Sequence, residues 1–119
     1  MVFLAGTVVK SRMIQEYVPG KQVTMCHLIS NPTPPMYSKL GLMTARGSLG
    51  IMTITPSEAS IIAADSASKA ANIEIGFVDR FNGSLVISGE LSAVDTALKE
   101  AMSVLCDMMG FESVPITRT

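Results

Sequence analysis

The residues able to do chemistry in this chain are few, and their spacing does not suit it. His27 is the one histidine among 119 residues, and Cys26 stands beside it. A nucleophilic cysteine needs a base within hydrogen-bond reach, but consecutive strand residues point to opposite faces. The pair therefore reads as a buried thiol next to a half-buried imidazole. Cys106, the second cysteine, falls one position past Leu105 on a helical stripe. A metal site needs several Cys, His or carboxylate ligands at ligand spacing; none is expected here, and neither is a cofactor. Gly47-Ser48-Leu49-Gly50 lacks the lysine and the strand-before, helix-after setting of a phosphate cradle. A Ser-His-Asp set has no support, because the histidine has no placed partner. Two charged pairs remain. Asp79-Arg80 precedes Asn82-Gly83 and is either a solvated strand end or a polar loop presented at an oligomer axis. Asp65 and Lys69 are four apart, the spacing of a helical ion pair, although Lys69 could instead reach a neighbouring subunit's carbonyls. No catalytic residue is expected.

The elements that carry these residues read as α+β. Met13 to Val18 suits a short strand, ended by the turn pair Pro19-Gly20. In the strand Lys21 to Ile29, alternation puts Val23, Met25, His27 and Ile29 on one face and Gln22, Thr24, Cys26 and Leu28 on the other. Asn31 to Pro35 breaks regular structure, Met36 to Leu42 suits a helical turn, Thr44 to Ser48 a loop, and Leu49 to Thr55 a strand. A helix over 56–71 follows from Thr55 as N-cap, Pro56 at the first position and Glu58 closing a capping box, with Asn72 as a left-handed cap. Ile73 to Phe81 and Ser84 to Ser88 are strands joined through Asn82-Gly83, a two-residue hairpin signal. Ser92 to Asp95 is a second capping-box pattern. Leu91, Val94, Leu98, Ala101, Leu105 and Met108 form one apolar stripe, ended by Gly110. Ser113 to Thr117 reads as an edge strand because it contains Pro115. The sum is an antiparallel-rich sheet with two helices on it.

Composition points to assembly. Hydrophobic residues make up 48%, but aromatics only 5% and charged residues 16%. A small domain leaves about a third of its unfolded surface exposed, so a chain this apolar is expected to hide its flanks against other subunits. Formal net charge is −1 with no basic run, which gives nucleic acid no electrostatic hold. No stretch reaches about 18 apolar residues, so no spanning helix is expected. Met1 to Val9 is apolar, but Lys10 and Arg12 follow it, the reverse of a secretory signal. Residues 1–20 read as an N-terminal extension and 21–119 as one domain; two cysteines without a signal fit a reducing cytoplasm. Two further readings stay open: a ligand-binding regulatory α+β oligomer, and a small enzyme that would need His27.

Three stretches carry a resemblance. Arg12 to Thr24 with His27-Leu28-Ile29 and Asn31-Pro32, Ile54 to Asp65, and Glu74 to Phe81 together with Ile116 to Thr119, resemble the circularly permuted bacterial microcompartment shell proteins, in wording nearest the propanediol-utilisation type, with the ethanolamine and choline types open. The resemblance covers roughly residues 12–119. It implies hexamers that tile, with other shell proteins, around enzymes in the bacterial cytoplasm, and a usual last strand moved to the front as Gln22 to Ile29. Met13, Ile14, Gln15, Glu16, Tyr17 and Val18 would match a strand of a β-barrel capping the central pore, a surface on which short helical tails of encapsulated enzymes could dock. Asp79, Arg80, Phe81, Asn82, Gly83 and Ser84 would match the loop at the sixfold axis. Lys69 would match the lysine at the hexamer edge, with Asn31-Pro32 where relatives carry a Pro-Arg-Pro-His motif. Gly47 is the candidate bend point between flat and bent hexamers. The axial loop has no cysteine, so no iron–sulfur cluster is expected.

Overall fold

A computed structural model describes residues 20–42 and 47–119. The strand expected over Met13 to Val18 lies outside these residues. Among the described residues, five strands form one sheet in the order β3-β4-β2-β1-β5: β1 is Gln22–Ile29, β2 Ser48–Thr55, β3 Glu74–Asp79, β4 Ser84–Gly89 and β5 Thr117–Arg118. Every neighbouring pair is antiparallel except β1 with β5. Helices α2 (Ala59–Ala70) and α3 (Leu91–Met102) share a core with one face of the sheet, through Met52, Ile54, Leu85 and Ile87. The other face holds a smaller cluster of Leu42, Leu49 and Val86, against which Tyr37 of the short helix α1 (Pro34–Lys39) packs.

The strand alternation expected for β1 holds only past a bulge. Val23 pairs with Ile54 but Met25 pairs with Thr53, so Thr24 is an extra residue. A bulge exchanges the faces of the residues on either side. Val23 therefore joins Cys26 and Leu28 in the core, and Thr24 turns outward, its hydroxyl 2.6 Å from that of Thr53.

Neither expected capping box forms. The chain makes a turn over Pro56–Glu58 before α2 begins at Ala59, and Ser60 Oγ bonds the Ser57 carbonyl at 2.8 Å. The helix ends through Ala71 in extended backbone. At α3, Asp95 is drawn sideways to Lys99 and Arg118 instead of back to the helix start. Beyond Met102 the helix widens into a π-helical turn, Ser103–Met108. The shift keeps Leu105 buried but leaves Met108, expected on the core stripe, 76% exposed; Leu91, at the other end of that stripe, is also exposed. Gly110 ends the segment at φ +78°, with Phe111 N–H donating to the Leu105 carbonyl, as expected of a glycine C-cap. The terminal strand is Thr117–Arg118 rather than Ser113 to Thr117, and it does lie at a sheet edge.

The β3–β4 connection is longer than the Asn-Gly signal suggested. Asp79 pairs with Ser84, leaving Arg80 to Gly83 as a four-residue loop, closed by Gly83 N–H donating to the Asp79 carbonyl at 2.8 Å. Gly83 has φ +79°, its carbonyl accepts from Ile54 N–H at 2.8 Å, and a Cβ there would lie 2.1 Å from the Ile54 oxygen. Replacing Gly83 by Ala combines an unfavourable backbone angle with a backbone clash. Gly83→Ala is expected to lower unfolding stability by about 3 kcal/mol in urea titration, with an unchanged m-value.

Candidate pore loop and assembly edges

Two ends of the sheet separate the candidate residues. At one end are the β3–β4 loop, the end of β2 and the start of β1, since Gln22 pairs with Thr55 and Ile54 bonds Gly83. At the other end, Gly47 bridges Gly89, Ser48 Oγ donates to the Ser30 carbonyl at 2.9 Å, and α2 hands the chain to Glu74 opposite Ser88. Asp79 to Ser84 therefore sit together at the first end. Lys69, Asn31-Pro32 and Gly47 belong to the second. Helix α2 spans the two, with Ser60 Oγ 3.4 Å from the Asp79 carbonyl and Lys69 about 13 Å further along the axis.

The loop is ordered from within. Asp79 Oδ1 accepts from Phe81 N–H at 2.9 Å and Asn82 N–H at 3.1 Å, and Asp79 Oδ2 from Asn82 Nδ2 at 2.8 Å. The Asn82 side chain, then its backbone and that of Phe81, hold the Asp79 carboxyl below its usual range. Asp79 and Arg80, adjacent in sequence, make no ion pair with each other. The Arg80 guanidinium lies over the Phe81 ring, 4.9 Å from its centre. Phe81 is 77% exposed, and with Ile61, Val78, Asp79 and Arg80 it lines an open cleft of about 430 Å³.

An apolar flank runs between the two ends. Strand β3 is at the sheet edge, and Ile75, Phe77 and Val78 are exposed on it; beside it Ile61 and Ile62 of α2 are exposed while Ala59, Ala63, Ala64 and Ala67 are buried. The helix sequence is mostly Ala, Ser and Ile, and the fold decides that Ile61 and Ile62 are the residues turned outward. Lys69 Nζ is 2.9 Å from Asp65, the local pair, with both groups largely in solvent. Asn31 is exposed and Pro32 buried, just before α1. Gly47 has φ +77°, its carbonyl accepts from the Tyr37 hydroxyl, and a Cβ on it would lie 2.4 Å from the Gly89 oxygen.

The thiol and imidazole stand apart as the alternation required. Cys26 faces the core, and burial, with a smaller contribution from Cys106, pushes its thiol up to about 12. His27 faces the other way, Nδ1 2.6 Å from Thr117 Oγ1 and Nε2 2.9 Å from Thr119 Oγ1, so it ties β1 to the C-terminal strand. Sequence reasoning missed the clasp of Asp95 with Lys99 at 2.9 Å and with Arg118. Lys99 first, then Arg118, lowers the Asp95 carboxyl. The i,i+4 spacing of Asp95 and Lys99 was the available signal. Among the described residues, no group of three or more His, Cys, Asp or Glu could hold a metal ion, and no helix is long and apolar enough to cross a membrane.

A family model described as the BMC domain matches residues 48–118. The Salmonella typhimurium protein named bacterial microcompartment shell protein PduU is 58% identical over 108 residues, covering 91% of this chain and 93% of that protein. The chain belongs to the BMC domain family. Among solved BMC structures, a flat hexamer of CutR superposes with a TM-score of 0.81 at 45% identity, covering 92% of both chains. A CutR screw with a 41.9 Å pitch superposes with a TM-score of 0.79 at 44% identity, over 85% of this chain and 100% of that one. The BMC match begins at Ser48, yet β1, which precedes it, lies inside the sheet between β2 and β5.

Two outcomes follow from the ionisations. Asp79 has a lowered folded-state pKa, so its hold on the loop is complete above the usual carboxylate range and is lost as pH falls through the depressed value. Amide protection factors at Phe81 and Asn82 should fall with acidification in the wild type and stay flat in Asp79→Asn. With Cys26 raised to about 12, a disulfide reagent at pH 8 should leave that thiol unmodified in the folded protein and modify both cysteines in denaturant, read by mass spectrometry.

Proposed function

We propose that the chain is a structural subunit of a bacterial microcompartment shell and that six copies close into a ring. The observation that carries this reading is the layout of the sheet: a pinned loop at one end, candidate edge residues at the other, and an apolar flank of β3 and α2 between them. A heterologous contact repeated by rotation buries such a flank on every subunit and closes if the angle is right. In this ring Asp79 to Ser84 face the axis, while Lys69 and Asn31-Pro32 face the next hexamer. The CutR hexamer supports the six-fold count, at the similarity given above. The position of β1 supports a permuted topology with a front-placed strand, within the domain 21–119. The start of β1 lies at the loop end, which supports residues 1–20 as an extension at the axis and 13–18 as its capping strand. The partners are other copies, other shell proteins, and encapsulated enzymes docking short helical tails on that cap. The chain carries out no catalysis in this reading, because its thiol and imidazole are spent on packing and on strand attachment.

Gly47 is the bend point of this ring. Its missing Cβ lets the backbone pass against Gly89, so a larger residue must displace the outer end of β2 from β4. Solved hexamers of wild type and Gly47→Val are expected to differ in curvature; identical curvature removes the role. Lys69→Ala loses an exposed ion pair worth about 0.3–0.5 kcal/mol at most, so the ring and its melting temperature should persist. Extended arrays in electron micrographs should nevertheless become sparse, and arrays of undiminished extent would remove Lys69 from the edge.

A further inference from the structure

We propose that Asn82 is a latent covalent modification site, an asparagine that its neighbour Gly83 can cyclise, and that Asp79 keeps this reaction closed while the chain is folded. The chain has three asparagines. Asn31 is followed by Pro32, whose nitrogen has no proton to lose, and Asn72 by the branched Ile73, which crowds the attack. Only Asn82 precedes a glycine, the residue with no side chain beside its own nitrogen. In such a pair the glycine nitrogen gives up its proton and attacks the asparagine Cγ. The new N–C bond closes a succinimide ring, and the carboxamide nitrogen leaves as ammonia. Water then opens the ring at either carbonyl, giving aspartate or, with the main chain routed through the side chain, isoaspartate. Water is the sole co-reactant, and no group is oxidised or reduced.

The folded loop opposes each part of that step. Gly83 N–H donates to the Asp79 carbonyl at 2.8 Å, which holds the proton that must leave. Asn82 Nδ2, the leaving group, donates to Asp79 Oδ2 at 2.8 Å, so the carboxamide is drawn toward Asp79. Gly83 is buried, and its carbonyl accepts from Ile54 N–H at 2.8 Å, so the attacking nitrogen is fixed to the sheet. The Asn82 residue is itself exposed; its protection comes from these bonds and not from burial. The product does not fit the loop. Aspartate at this position sets a second negative charge against Asp79 Oδ2 in place of a donor. Isoaspartate also lengthens the main chain by one carbon just before Gly83, which then cannot keep its bonds to both Asp79 and Ile54. Conversion is therefore a one-way mark. It accrues in chains whose loop is open, and then it keeps the loop from closing.

The site belongs to one protomer and stands whether or not the ring forms. The test follows the Asn82 peptide of the full chain at pH 8, in buffer and in guanidinium chloride, by mass spectrometry with fragmentation that separates aspartate from isoaspartate. Folded wild type is expected to convert roughly tenfold more slowly than the unfolded chain, or slower still, because only open loops react. Asp79→Ala, confirmed as folded by circular dichroism, should approach the unfolded rate. Asp79→Asn, which keeps the shape without the charge, should fall between, and it carries the comparison if the alanine variant does not fold. Asn82→Asp should melt below the wild type. Equal rates for folded and unfolded wild type, folded Asp79 variants no faster than wild type, or an unfolded chain that converts Asn31 or Asn72 ahead of Asn82 would each overturn the site. A melting temperature in Asn82→Asp at or above that of the wild type would overturn the claim that the product opens the loop.

Discussion

The close approach of two alanine-lined helices to one sheet face is the constraint on which the rest of this molecule depends. Ala63, Ala67, Ala97 and Ala101 are fully buried between α2, α3 and the strands. At Gly50 on β2, an added Cβ would lie 2.9 Å from both Ile87 and Val94, so α3 sits as near the sheet as a bare backbone allows. Small side chains give dense packing at short separation, but each buries little apolar area. The larger apolar groups of α2, Ile61 and Ile62, are consequently on the outside, next to an edge strand whose Ile75, Phe77 and Val78 are also exposed. A core made this way leaves its stickiest surface facing outward.

That surface ends in a loop built by a different interaction. A single carboxylate gathers three donors within four residues, and a glycine pinned to β2 fixes the loop to the sheet. The acid is used up internally, and the base stacks on an aromatic ring. A segment that reads in sequence as two neighbouring charges beside a turn becomes in three dimensions a loop held by its own acid, with the guanidinium over an aromatic ring. The opposite end of the sheet is held by backbone contacts, Gly47 against Gly89 and Ser48 on Ser30. The two ends can therefore serve different neighbours without disturbing one another.

The α+β class, the order of strands and helices among the described residues, the glycine C-cap at Gly110 and the separation of Cys26 from His27 were all legible from periodicity and turn chemistry. What was not legible came from tertiary competition. The extra residue at Thr24 moves Val23 to the core, which no alternation rule reveals. Asp95 had the spacing of a capping box, but the charges of Lys99 and Arg118 claim it. The π-helical turn after Met102 shifts the register of the stripe, so Met108 leaves the core while Leu105 stays. Asn82-Gly83 named the hairpin correctly but not its length, because the Asp79 side chain stabilises two further loop residues. The roles proposed for Lys69 and the Asp79 to Ser84 loop in assembly come from the resemblance; residue chemistry alone favoured the local Asp65–Lys69 pair, and that contact is present.

An outward apolar flank of this kind is sustainable only if other copies cover it. The most direct measurement is the mass of the full chain in dilute solution at moderate salt, by light scattering or native mass spectrometry. A ring of six is the expected result, and replacing Val78 and Ile61 together by Asp should reduce it to single chains that keep their secondary structure. A folded, soluble monomer in the wild type would contradict the closed ring and the shell role built on it.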